Sequence, residues 1–283
     1  MAIPDADIHP TATGAAHTLV QAHQSAAPHI LYSGWFCPFV QRSWITLEEK
    51  KLAYKYTEIN PYDKSPSFLR LNPRGLVPTL GCPVPNGTGG EKSSTDGDED
   101  EVERKPLIES NIISEYLDAL PSDLPSLLSE DNYTRARQKI WIDFVGARIL
   151  PAYHRLLQHT PDKAYSLDEA KTELRKQIKT WIEAADPRGP FFDGEKFGMV
   201  DVTLAPWAVR FWVFEYFKNI DDLVPAGEAW GKRWEGWVQA VLERESVRAT
   251  TSERGFYEPI YKRYADDEAQ SEMAKAIRAG RVP

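Results

Sequence analysis

The chain has 283 residues, 42% hydrophobic and 27% charged, with a formal net charge of −8 at pH 7. That make-up reads as an ordinary soluble globular protein. No stretch approaches the ~20 apolar residues of a membrane span, and a pI near 5.4 leaves no basic face for nucleic acid.

Residues 1–28 read as a flexible N-terminal arm, with docking on the body as the alternative. The first thirty residues carry Asp5 and Asp7 but no Lys or Arg, which fits neither a secretory signal nor an Arg-rich transit peptide. "HILYS" (29–33) then predicts a strand. After Pro38, Val40, Trp44 and Leu47 recur at helical spacing. "AYKYTEI" alternates Tyr54 and Tyr56 against Lys55 and Thr57, the period of a strand. These three segments make a βαβ unit with Cys37 in its first loop. A short helix over Ser67–Leu71 is stopped by Asn72-Pro73. "GLVPTLG" predicts a brief strand; because proline cannot donate to a ladder, either the strand starts at Pro78 or the bond before it is unusual. "KPLIES" predicts a last strand, and "SNIISEYLDAL" a helix with Ile113, Tyr116, Leu117 and Leu120 turned inward.

Residues 85–105, rich in Gly, Ser and acidic side chains, have almost nothing apolar to bury and read as a flexible insertion between two strands. Its carboxylates lack the spacing of a cation-binding loop. The first domain thus covers 29–120, and a linker, "LPSDLP", leads to an all-helical domain over 126–283. Its stripes are Ile140, Trp141, Phe144 and Val145; Leu174, Ile178, Trp181 and Ile182; and Trp230, Trp234, Trp237 and Val241, with a further helix over 200–218.

Two cysteines, Cys37 and Cys82, make no disulfide framework, so a reducing compartment, the cytoplasm, is expected. Cys37 precedes Pro38, and proline favours the first helical position. The sulfur therefore falls at the N-cap, where unpaired N–H groups and the helix dipole favour a thiolate. Arg42 either adds to that field or points to solvent. The alternative is an inert, buried cysteine. A dithiol pair would need a second cysteine where Val40 stands, so Cys37 would work alone. Cys82 reads as a strand or loop residue.

"CPFVQR", "NPRGLVPTL" and "LIESNIISEYLD", in this order and spacing, resemble the omega-class glutathione transferases. "RILPAYHR" and the closing "YADDEAQSEMAKAIRAGR" look most like the fungal omega-like type. The resemblance runs from about Ile30 to the C-terminus, apart from the insertion. It implies a thioredoxin-like N-terminal domain (βαβ-ββα) and a helical-bundle C-terminal domain, the glutathione transferase fold, with glutathione as co-substrate. It also implies that Cys37 is the catalytic cysteine, that Val77-Pro78 is a cis bond, and that the protein is a homodimer with a detoxification role.

The same resemblance makes Phe39, Lys64, Val77, Pro78, Glu109 and Ser110 glutathione contacts. Each role has a physical reason. The Val77 backbone suits the cysteinyl part of the tripeptide. Ser110 with its helix N-terminus suits the γ-glutamyl carboxylate, and Glu109 the ammonium. Alternatives stay open: packing for Phe39, a surface position for Lys64, a bare strand edge at Val77, a plain helix cap at Glu109-Ser110. Tyr153, His154, Trp207, Phe211 and Trp212 are candidates for an aromatic substrate pocket between the domains, or for core. Gly198 stands where this fold has a Ser or Thr three residues before Asp201, which weakens that cap. His154 and His159 lack partners for a metal, and none is expected.

The activity implied is a glutathione-dependent thiol transfer that deglutathionylates disulfide or phenacyl-type substrates, with dehydroascorbate reduction as a further reaction. The alternative is a ligandin-like carrier of hydrophobic compounds. A conjugating enzyme would instead need Tyr or Ser at the position of Cys37, and Tyr32 and Ser33 come too early.

Overall fold

The computed structural model describes residues 8–60, 63–84, 91–92 and 103–281. It forms two compact units: residues up to Ser126 with Arg248–Glu253, and Leu127–Val247 with residues from Arg254 onward.

The first unit contains α1 (Gly14–Ala22), β1 (His29–Ser33), α2 (Pro38–Lys50), β2 (Tyr54–Glu58), α3 (Pro66–Leu71), β3 (Thr79–Pro83), β4 (Glu91–Lys92), β5 (Glu103–Ile108) and α4 (Ser110–Asp118). The sheet order is β2-β1-β3-β5-β4, with β1 and β2 parallel and the other pairs antiparallel. This is the thioredoxin-like arrangement expected from the motifs. Central β1 is buried along its whole length, as a strand covered on both faces must be, whereas β2 buries only Tyr54 and Tyr56. Ile30, Tyr32, Ile59, Phe68 and Leu71 form a core cluster against which Val77 packs. Each such side chain contributes about 1.5–3 kcal/mol of burial.

The register decides where the site lies. Ser33 pairs with Glu58, Tyr32 with Thr79, and Thr79 with Ile108. The exit of β1, the entry to β3 and the exit of β5 therefore meet at one end of the sheet. The Cys37 loop, Val77-Pro78 and Glu109-Ser110 are carried there.

Three expectations need correcting. Residues 8–28 are not a loose arm, because α1 and its flanks dock on this unit. The His23 ring stacks on Tyr54 with centroids 3.8 Å apart, its carbonyl accepts from the Tyr56 amide (2.8 Å), and Thr13 bonds to Ser252 and Glu253. Residues 248–253 belong to the sheet unit, where Thr250 and Thr251 accept hydrogen bonds from Gln41. Within the acidic insertion, residues 91–92 and 103–105 are strand. The rest of that segment lies outside the described residues.

The helical unit contains α5 (Asn132–Phe144), a π-helical turn (Val145–Ile149), α6 (Leu150–Leu157), α7 (Leu167–Glu183), α8 (Met199–Ala208), α9 (Trp212–Lys218), α10 (Ala229–Glu243), α11 (Glu245–Ala249, which crosses into the sheet unit), α12 (Arg254–Ala265) and α13 (Glu272–Arg278). The π turn precedes Pro151, which has no N–H to continue the α-helical ladder. Pro206 likewise disturbs the helix expected over 200–218. It ends at Ala208, and tight bonds from Arg210 to Trp207 and from Phe211 to Ala208 lead into α9. Of the predicted stripe, Val145 is fully buried and Trp141 and Phe144 are half-buried, while Ile140 is 64% exposed; α5 itself buries Gln138 and Ile142. Helix α7 starts with a capping box between Ser166 and Glu169.

The centre of this unit is aromatic. Trp181 lies 4.8 Å from Phe192 and 4.9 Å from Trp237, and Trp237 lies 5.0 Å from Trp234. Such pairs add about 0.5–1.5 kcal/mol each beyond area burial. Asp201, fully buried, accepts from the Gly198 and Phe192 amides and from Trp237 Nε1 (2.7 Å). Gly198 forms only half of the cap. The Met199 amide instead donates to the Leu127 carbonyl at 3.0 Å, and a Cβ at position 198 would sit 3.1 Å from that oxygen. A side chain at 198 would need the Leu127 backbone to give by a few tenths of an ångström. No helix among the described residues is long and apolar enough to cross a membrane.

Candidate active site

Cys37 is the N-cap residue of α2, extended at φ −78° and ψ 121°, with Pro38 behind it in the first turn. Its amide donates to the Gly34 carbonyl at 2.9 Å, and its own carbonyl receives the Gln41 amide at 3.1 Å. The residue is half-buried and in no disulfide. Arg42 does not point to solvent. It is 3% exposed, its guanidinium lies 5.2 Å from the Phe39 ring centroid, and Nη1 donates to Ser110 Oγ at 3.3 Å. Burial pulls Arg42 down to about 9, while Cys37 acts in the opposite direction. The nearby Cys37 thus favours the charged form of Arg42. At neutral pH Arg42 is a cation.

The turn before Pro78 is built by Asn72, which is buried. Its amide nitrogen donates to the Leu76 carbonyl (3.1 Å) and to Thr79 Oγ1 (2.9 Å), and its oxygen receives the Arg74 amide. Gly75 turns with φ +61°, and the Lys64 stem lies on it: a Cβ there would come within 2.8 Å of Lys64 Cδ. Lys64 thus packs on this turn rather than projecting from the surface. Val77-Pro78 is cis. Among the described residues, no hydrogen bond engages the N–H or C=O of Val77.

Glu109 caps α4 with φ +70°, a region that non-glycine residues enter rarely and mostly at functional positions. Its carboxylate receives Arg74 Nη1 at 2.9 Å, with both side chains largely exposed. Ser110 is buried beneath Arg42. Arg42 therefore ties the start of α2 to the start of α4, and Arg74 ties the turn before Val77 to the same helix start. Phe39, half-buried, flanks Arg42. The predicted set around Cys37 converges, and sequence reasoning passed over its braces, Asn72 and Arg74. Their one signal was "NPR" before a turn.

Cys82 lies buried in β3, and burial pushes its thiol up to about 11. Ser33 is fully buried and bonded to the Tyr56 hydroxyl, and Tyr32 is 1% exposed, so neither presents a hydroxyl here. The aromatic wall is corrected for three of its five members. Tyr153, His154 and Trp207 are packed inside the helical unit at 0%, 4% and 1% exposure. Tyr153 donates to the Arg210 carbonyl. Phe211 and Trp212 are half-buried, and the Arg254 guanidinium lies 4.3 Å over the Trp212 ring. No group of three His, Cys, Asp or Glu side chains among the described residues is placed to hold a metal ion.

Residues 36–120 match the family described as "Glutathione S-transferase, N-terminal domain", and residues 164–240 its C-terminal domain. "Probable glutathione S-transferase parC" of Nicotiana tabacum is 31% identical over 220 residues, covering 77% of this chain and 86% of its own. The chain belongs to the glutathione S-transferase family. "Glutathione S-transferase U25" of Arabidopsis thaliana is 33% identical over 222 residues, covering 77% of this chain and 86% of its own. Among solved structures, glutathione transferase Omega 3C of Trametes versicolor is 36% identical, with a TM-score of 0.72 over 86% of this chain and 97% of its own. This transferase therefore has an omega-class structural neighbour, while parC and U25 come from plants.

Proposed function

We propose that this glutathione S-transferase is a cysteine-type, omega-like enzyme of glutathione-dependent thiol transfer. The observation that carries the reading is Cys37 as the N-cap of α2, with Arg42 of the same helix buried and bonded to Ser110 at the start of α4. The Cys37 thiolate attacks the glutathionyl sulfur of a mixed disulfide, forms the Cys37–glutathione disulfide and expels the substrate thiolate. With a phenacyl thioether of glutathione the same attack expels an enolate, which takes a proton and leaves as the ketone. A second glutathione thiolate then attacks the adduct, freeing Cys37 and giving glutathione disulfide. Val40 stands where a resolving cysteine would be, so the second thiol comes from solution. Dehydroascorbate reduction by two glutathiones has the same outcome.

Val77, with its open backbone groups, takes the cysteinyl segment of glutathione. Ser110 and the start of α4 take the γ-glutamyl carboxylate, Glu109 takes the ammonium, and Lys64 the glycyl carboxylate. Phe39 and Pro78 line the approach. Phe211 and Trp212 are the aromatic groups left to meet a hydrophobic second substrate. A homodimer and a cytoplasmic setting belong to the same reading.

The test is incubation with glutathione disulfide, with adducts located by peptide mass spectrometry. A reducible adduct on Cys37, formed faster than on Cys82, is expected. In Cys37→Ser, deglutathionylating activity should fall at least about a hundredfold, the scale of losing a nucleophile. An unmodified Cys37 in protein that still binds glutathione would overturn the mechanism and leave a ligand carrier.

A further inference from the structure

At the end of β2, Glu58 reaches under the Cys37 loop. The residue as a whole is half-exposed, but its carboxyl is turned inward. Oε1 accepts the Trp35 amide at 2.8 Å, and Oε2 accepts the Tyr56 hydroxyl at 3.0 Å. Tyr56, 2% exposed, in turn receives Ser33 Oγ at 2.9 Å. Ser33, Tyr56, Glu58 and Trp35 thus form one closed chain of hydrogen bonds around the exit of β1. Trp35 is 1% exposed and is held a second time, because its indole Nε1 donates to the His9 carbonyl at 2.8 Å. From Trp35 the backbone has only Phe36 to pass before Cys37.

A carboxyl so placed is unusual for a strand end, where acids ordinarily face water. Burial pushes Glu58 up to about 8, against the pull of its two hydrogen bonds. It is neutral over much of the physiological range. Its contribution there is an oxygen acceptor at a fixed point, for which a neutral amide is an adequate substitute.

We propose that Glu58 is a positioning residue for the proposed thiol chemistry: by holding the Trp35 amide, it fixes the loop that presents Cys37 at the start of α2. The proposal rests on the cysteine reading above. The side chain does not touch the sulfur; it acts through Trp35 and the Gly34–Cys37 turn. Loss of that acceptor removes the bond by which Glu58 holds the buried Trp35 amide, and the loop is free to shift. A displaced nucleophile reacts more slowly while the glutathione contacts at Val77 and Ser110 stay in place.

The rate of Cys37 glutathionylation by glutathione disulfide and the Kd for glutathione are measured in wild type, Glu58→Gln and Glu58→Leu. Gln keeps the acceptor, and its rate should stay within about twofold of wild type. Leu should slow the reaction about tenfold or more, with Kd changed less than about threefold. Should Glu58→Leu not fold, Glu58→Asp withdraws the oxygens by one methylene and should slow the reaction at an unchanged Kd. Equal rates in wild type and Leu (or Asp) would overturn the proposal, as would Gln as slow as Leu. No adduct in wild type would end the cysteine reading itself. A wild-type adduct with no Glu58 effect would end only the positioning role.

Discussion

In the sheet unit, buried polar side chains are shared between elements that meet at the candidate site. Arg42 of α2 reaches Ser110 of α4, Asn72 binds the turn that enters β3, and Glu58 of β2 holds the loop after β1. In the helical unit, the buried polar groups serve the packing itself. Asp201 ties the start of α8 to α10 and to the Phe192 amide, while both ring nitrogens of His154 are buried without a hydrogen-bond partner. One unit gathers its buried polar groups around the Cys37 loop, the other uses them to build a scaffold around aromatic rings. The difference predicts where substitutions damage chemistry and where they damage stability.

The largest stability effect should come from the scaffold. Asp201→Ala leaves two amides and an indole N–H without their acceptor, a loss of about 3–5 kcal/mol. Urea unfolding measures it, and a loss below about 1 kcal/mol would break the contrast between the units. A pH series sharpens it next. Burial holds the His154 imidazole down to about 3, so the folded state carries fewer protons than the unfolded chain below pH 6.5. Stability from this group is full above that pH and is lost as pH falls. Burial raises Asp201 to about 6, so its contribution has the opposite sign and is lost as pH rises from about 4 to 6. The two oppose each other across pH 4–6. His154→Phe should therefore gain on wild type by about 1.4 kcal/mol per pH unit as pH falls from 6 to 4. A constant difference across that range would show that His154 is protonated in the fold. The smallest effect belongs to the sheet unit's surface. Arg74→Ala breaks a largely exposed pair with Glu109 and should cost less than about 1 kcal/mol in the same unfolding assay.

The strands and helices nearest Cys37 were legible because their signals are local. "HILYS" has the apolar and aromatic run of Ile30, Leu31 and Tyr32 at its centre, the two tyrosines of β2 alternate, and Pro38 marks the start of α2. The gathering of Cys37, Val77 and Ser110 was legible only through motif resemblance, since the register that brings them together depends on three strand pairings. Arg42 and Glu58 were not legible as inward groups. Helix α2 is buried from Val40 through Leu47 and so shows no polar stripe against which Arg42 could be placed, and a lone glutamate at a strand end reads as solvated. Residues 14–22 lack a strong apolar stripe, and their docking depends on Tyr54 and Ser252, both remote in sequence. The helix over 200–218 was overextended because the apolar periodicity runs on through the tight turn at Arg210 and Phe211.

The bond from the Met199 amide to the Leu127 carbonyl has a consequence for how the helical unit opens. Where a Ser or Thr side chain caps a helix, its first turn can fray and re-form by itself. Here part of that task falls to a backbone oxygen from before α5, so the first turn of α8 cannot loosen unless the segment at Leu127 also moves. Amide exchange at Met199 should accordingly follow the slow, collective opening of the unit rather than the rapid breathing of a helix end.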